Sequence, residues 1–167
     1  MRTTLYLLVL SLTVLACQQN QDVSNQDNTE KVDLAKTIPG VWETTYIRVA
    51  VNSYQNMDSS FVFEIKEENW VEKMQIAPLR IYFEVENKFR REHRALNGTL
   101  MSTSRGMWNT FGDTLMLIEP DATYNYEVKI KNGLGEFSSQ LDWDGDGEAD
   151  DEYLDIKRFI GLSTSVH

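Results

Sequence analysis

From Ile38 onward, apolar and polar residues alternate with a period of two, the pattern of strands that bury one face. The run Thr123–Lys131 (TYNYEVKIK) is the clearest, with Tyr124, Tyr126, Val128 and Ile130 on one face and Asn125, Glu127, Lys129 and Lys131 on the other. The same reading predicts strands over Val41–Val51, Phe61–Lys66, Trp70–Ile76, Arg80–Phe89, Leu100–Trp108, Thr114–Ile118, Leu134–Trp143 and Tyr153–Phe159. Turn chemistry separates them. Asn97-Gly98 and Asn132-Gly133 are two-residue hairpin signals, because a type I′ turn needs positive φ at both central positions. Gly112-Asp113 and Pro120-Asp121 mark further reversals. Apart from a weak patch before Pro39, no helical stripe of useful length is present. Eight or nine short antiparallel strands in one all-β domain point to an up-and-down barrel or a sandwich, with the barrel as the expectation.

The N-terminus has a different texture. Met1–Cys17 reads MRTTLYLLVLSLTVLAC, with Arg2 as a minimal positive segment and Leu5–Ala16 as an uncharged run of twelve residues. A bilayer-spanning helix needs about 20 apolar residues, so the run fits a cleaved signal instead. Its end, Val14-Leu15-Ala16-Cys17, resembles the bacterial lipobox. The resemblance implies lipidation of Cys17, cleavage after residue 16, and attachment of the mature chain to the membrane through its N-terminal lipid, for which several acyl chains give durable anchoring. Gln18–Lys36 is rich in Gln, Asn and Asp and has no aromatic residue, so it reads as a flexible tether. The implied organisation is a signal at 1–16, lipidated Cys17 and tether to 37, a β domain over 38–162 and a tail at 163–167. Gln18 stands where an aspartate would resemble an inner-membrane retention signal. The expected location is therefore the bacterial cell envelope, at the outer membrane.

Gly40-Val41-Trp42, opening the first strand, resembles the Gly-x-Trp signature of the lipocalin and calycin group. Arg105–Leu117 (RGMWNTFGDTLML) is similar to a hairpin of small bacterial lipocalin-like lipoproteins. The resemblance implies a lipocalin-like barrel closed at its base by Trp42, with Arg158 packed against that Trp. On this view Gly40, Trp42 and Arg158 are structural.

Composition narrows the chemistry. With 16 basic and 26 acidic residues the chain carries −10. Loss of residues 1–16 removes only Arg2 and leaves −11. Nucleic acid is thereby an unsuitable partner. One Cys and two His leave no Cys-rich zinc site and little for a His-based relay. No nucleophile elbow, phosphate loop or dinucleotide fingerprint appears, and Glu64, Glu84, Glu86 and Glu127 alternate onto solvated faces, so no enzyme is expected.

Two segments carry candidate binding chemistry. Asp142–Glu152 (DWDGDGEADDE) places Asp142, Asp144, Asp146, Glu148 and Asp150 at positions 1, 3, 5, 7 and 9 of a calcium loop, with Gly147 at the turn. Hard oxygen ligands suit Ca²⁺. Position 12 is Tyr153 rather than Glu, so weak binding is expected, and the alternative is a bare acidic hairpin tip. No other cofactor is required. In Lys88–Arg94 (KFRREHR), strand alternation puts Arg91 and His93 on one face, where they could hold a carboxylate or phosphate inside a barrel, or simply be solvated. Tyr124 and Tyr126 are candidates to line a cavity, although a small barrel is wide enough only for side chains or one small ligand. Two readings stay open. One is a membrane-anchored barrel for a small, mostly apolar ligand. The other is an envelope interaction domain stiffened by calcium.

Overall fold

The computed structural model describes residues 33–54, 57 and 59–162. The signal segment, Cys17, the tether up to residue 32 and the tail at 163–167 lie outside them. Nine strands form one antiparallel sheet: β1 (Gly40–Val51), β2 (Phe61–Lys66), β3 (Arg80–Phe83), β4 (Lys88–Arg94), β5 (Leu100–Phe111), β6 (Thr114–Ile118), β7 (Thr123–Lys131), β8 (Leu134–Leu141) and β9 (Asp151–Gly161). From β3 to β9 each strand pairs with the next, and β1 closes the ring by pairing with β3 on one side and β9 on the other. The result is a closed eight-stranded up-and-down barrel. β2 is the extra strand, paired with β1 beyond the point where β3 ends.

β1 can serve three neighbours because it is long and bulged. Gly40–Glu43 pair with β3, while Tyr46–Val51 pair with β2 along the same edge. Opposite β9 the register shifts between Thr44 and Tyr46. The extra residue resets the alternation, so Trp42, Thr44, Ile47, Val49 and Val51 all turn inward. Two packed clusters follow. One fills the end where β1 starts, with Trp42, Phe83, Phe89, Trp108, Leu115, Leu117, Val128 and Phe137. The other joins Ile47, Val49, Val51 and Ile65 to Trp70. Tyr153 packs against both. Residues 33–162 thus contain a complete closed sheet and its core.

Three predicted elements change. Trp70–Ile76 is not a strand: Trp70–Met74 form a short helix, α2, with Trp70 and Met74 one turn apart and both against the second cluster. Arg80–Phe89 breaks into two strands at Glu84–Asn87, where Glu86 and Asn87 adopt positive φ. Leu34–Thr37 form one helical turn, α1, with Leu34 and Ile38 buried, so the packed part begins ahead of the expected boundary at 38. The hairpin signals also divide. Asn132 and Gly133 both have positive φ, as a type I′ turn requires, whereas at Asn97-Gly98 only the glycine does.

Candidate functional site

The closed end of the barrel is built around Trp42, which is 1% exposed. Its indole Nε1 donates to the Ile38 carbonyl at 2.8 Å, tying α1 across the base. Gly40 must be glycine: its φ is +138°, and a Cβ there would lie 2.3 Å from the Phe159 ring. The expected pairing of Trp42 with Arg158 is not formed. On β9 Tyr153, Asp155, Lys157 and Phe159 point inward, so Arg158 points outward; it is 46% exposed and bonded to Glu67. Phe159 takes the place against Trp42, edge-on at 5.3 Å, with Phe137 at 6.2 Å.

Above this layer lies an enclosed cavity of about 40 Å³, lined by Ile81, Phe83, Leu115, Leu117 and Phe137 together with Arg91, Tyr126, Tyr153, Asp155 and Lys157. Sequence alternation correctly brings Arg91 and Tyr126 here. It missed Asp155 and Lys157, because Leu154 and Ile156 are the more apolar choice for the inner face. The usable signal was Tyr153 and Phe159, two aromatics sharing their parity. Asp155 Oδ2 accepts from Lys157 Nζ at 2.5 Å and from the Tyr153 hydroxyl at 3.0 Å, and Lys157 also donates to Thr44 Oγ1 at 2.7 Å. Asp155 Oδ1 is buried and has no partner. Across the barrel, Arg91 is ion-paired with Glu119, which also accepts from Ser104, yet Arg91 Nε is buried and unpartnered. One unused acceptor and one unused donor therefore belong to residues lining a single cavity. A cavity of this size holds one or a few water molecules.

Burial raises the Tyr126 hydroxyl to about 12 and pushes Tyr153 well above the ordinary phenol value, so both are neutral donors at physiological pH. Tyr124 sits above Tyr126 and beneath the Arg91 guanidinium, 5.7 Å from its ring centre. His93 shares the alternation of Phe89 and Arg91 on β4 but does not line the cavity.

The acidic loop joins β8 to β9. Asp142, Asp144 and Asp146 each offer a carboxylate oxygen, all within 4.8 Å of one another. Gly147, at φ +96°, makes the turn that lets its N–H donate to Asp142 Oδ2 at 3.0 Å. Glu148 and Asp150 do not join the group. Asp150 Oδ2 accepts from Ser53 Oγ and its carbonyl from Asn52, which fastens the loop to the end of β1. The buried Asp151 is likewise committed, accepting from the N–H groups of Asn52, Trp143 and Asp144.

No protein-family model matches the chain, and no curated protein matches it. Among the described residues no helix is long and apolar enough to cross a membrane.

Proposed function

We propose that this chain is a lipocalin-like envelope lipoprotein, anchored through Cys17, whose barrel takes up a small molecule with an apolar body and one polar group. The observation that carries the reading is that Arg91 and Asp155, two residues lining one cavity, each hold a buried atom without a partner, Nε and Oδ1. Native proteins rarely leave such atoms unmet, since each costs about 1–3 kcal/mol, more for charged groups. A ligand group that both donates and accepts would satisfy them, while Phe83, Leu115, Leu117 and Phe137 would meet its apolar part. The charged residues make the expected ligand amphipathic rather than purely apolar.

The test is a titration of the chain from Gln18 onward, which contains the complete barrel, with 1-anilinonaphthalene-8-sulfonate. This probe carries an anion, an N–H donor and apolar rings. Saturable one-to-one binding, weakened about tenfold or more by Arg91→Gln, is the expected result. Absence of binding would remove the reading. Mass spectrometry of the membrane-extracted protein tests the anchor separately, through acyl chains on Cys17 that Cys17→Ser abolishes.

A second reading, an interaction domain whose loop binds calcium, is favoured by the convergence of Asp142, Asp144 and Asp146. The two readings use different residues, the inner face of β9 and the loop ahead of it, and are compatible.

A further inference from the structure

We infer that ligand enters the barrel through its side wall, between β7 and β8, past a gate made by Tyr126 and Tyr153. This inference rests on the binding reading above and concerns the route rather than the existence of binding.

The wall is incomplete between β7 and β8. β7 and β8 pair from Lys131↔Leu134 only as far as Glu127↔Ser138. Beyond that, Thr123–Tyr126 continue to pair with β6, and Ser139–Leu141 continue to pair with β9. A regular hairpin would set Tyr126 opposite Ser139 and Asn125 opposite Gln140. Instead the two strands part, and a side chain bridges them: Ser139 Oγ donates to the Asn125 carbonyl at 2.6 Å. Outside this parting lies an open concavity of about 590 Å³, bordered by Asn125, Ser138, Gln140, Glu152 and Leu154.

Tyr126 and Tyr153 line both this outer concavity and the interior cavity. Their rings lie 6.0 Å apart, and Ser139, the residue paired with Tyr153 on β8, adds little bulk. Two tyrosines are thus the partition between outside and inside. They are held differently. The Tyr153 hydroxyl is tied to Asp155, whereas among the described residues no hydrogen bond holds the Tyr126 hydroxyl. Tyr126 is the leaf that can turn.

At the base a concavity of about 450 Å³ shares only Phe83 with the interior cavity, whereas the one at the parting shares both Tyr126 and Tyr153. At the base, Ile38 and Trp42 are fully packed under α1. At the other end, Trp70 closes over Val49, Val51 and Ile65, and the Arg91–Glu119 ion pair lies beside Ser104. The cavity as it stands is too small for any organic ligand, so some wall must give. At the β7–β8 parting the backbones of Thr123–Tyr126 and Ser139–Leu141 have no pairing with each other to lose.

The experiment is stopped-flow binding of 1-anilinonaphthalene-8-sulfonate to the chain from Gln18 onward. Ser139→Leu plugs the parting with a larger inward side chain, and Ala35→Leu adds the same bulk beside the base. A plug that acts only on the passage slows association and dissociation together. Ser139→Leu is therefore expected to lower both rates about tenfold or more with Kd nearly unchanged, while Ala35→Leu leaves both rates alone. Tyr126→Ala should speed association. Binding by Ser139→Leu at the wild-type rate, or slowing by Ala35→Leu instead, overturns the side entrance while leaving the binding reading intact. Failure of the wild-type chain to bind the probe removes both. Should Ser139→Leu not fold, amide exchange of the unmodified chain decides. Saturating probe should protect Thr123–Tyr126 and Ser139–Leu141, and protection confined to α1 and the base would overturn the proposal.

Discussion

Two of the carboxylates buried in the wall of this barrel, one on each face, have been treated oppositely. Glu92 lies on the outer face of β4, 7% exposed, and accepts from Arg90 Nε at 3.1 Å, Arg94 Nε at 2.9 Å and the Tyr82 hydroxyl at 3.1 Å. Asp155 lies on the inner face of β9, 3% exposed, with all its bonds gathered on one oxygen and the other left bare. Both are ion-paired, so charge alone does not separate them. What differs is completeness. A buried acid whose two oxygens both have donors is finished structure, whereas one with an idle oxygen on a residue that lines a cavity leaves a position open to a donor.

The largest effect that sharpens this contrast is expected from Asp155→Ala. It strands the Lys157 ammonium inside the barrel and should cost about 3–5 kcal/mol in denaturant unfolding. A loss below about 1 kcal/mol would mean that water already reaches the pair. Next comes the third carboxylate arrangement, the loop at Asp142, Asp144 and Asp146, whose oxygens accept from the N–H groups of Gly147, Asp146 and Glu148 yet converge within 4.8 Å of one another. With a Kd of about 10⁻⁴–10⁻³ M, 10 mM calcium should add about 1.4–2.7 kcal/mol of stability, lost in Asp144→Asn. A melting temperature identical in calcium and in chelator would leave that loop a solvated hairpin tip.

Glu92→Gln follows, at about 1–2 kcal/mol near neutrality. Burial pushes the Glu92 carboxyl up, but the bonds from Arg94, Arg90 and Tyr82 outweigh it and hold the group below its ordinary value. Its stabilisation is therefore complete above the unfolded-state pKa of about 4.3 and drains away as pH falls through the lower folded-state value. The gap between wild type and Glu92→Gln, measured from pH 6 to pH 3, should close at the acid end. A constant gap would mean that Glu92 acts through packing and not charge. The smallest effect concerns Tyr126. Raised to about 12 by burial, it contributes stability fully present below about pH 10 and lost as pH climbs towards 12. Wild type should lose about 1 kcal/mol more than Tyr126→Phe by about pH 10.5, with the corresponding phenolate absorbance arriving late.

The strand meander was legible in the sequence because period-2 alternation is the direct imprint of a one-sided sheet, and β7 matches its predicted range and face. The failures have local causes. Trp70, Val71 and Ile76 carry strong β propensity, yet the 70/74 spacing of Trp and Met met a hydrophobic hollow and tertiary packing prevailed. The break at Glu84–Asn87 was invisible because positive φ there falls on Glu86 and Asn87, with no glycine or proline to mark it. The inner face of β9 was not legible because Asp155 and Lys157 look like surface residues until each supplies the other's counter-charge. The packing of Arg158 on Trp42, implied by the resemblance, fails on that parity, and Phe159 takes the place. Of the acidic loop, the converging half, Asp142 to Asp146, followed from spacing. Glu148 and Asp150 did not, because Ser53 and Asn52, nearly a hundred residues earlier, claim Asp150.

The seam between β1 and β9 joins the first strand of the barrel to its last, from Val41↔Gly161 to Ala50↔Glu152. Every other strand of the ring can find a neighbour as soon as its own hairpin has emerged from the ribosome or the translocation channel. This one cannot. Until the eleven residues of β9 arrive, β1 and β8 are both open edges, templates for any other extended chain nearby. The growing polypeptide therefore has no safe partial form, and a premature stop inside β9 would yield a sticky, self-associating sheet rather than a smaller barrel.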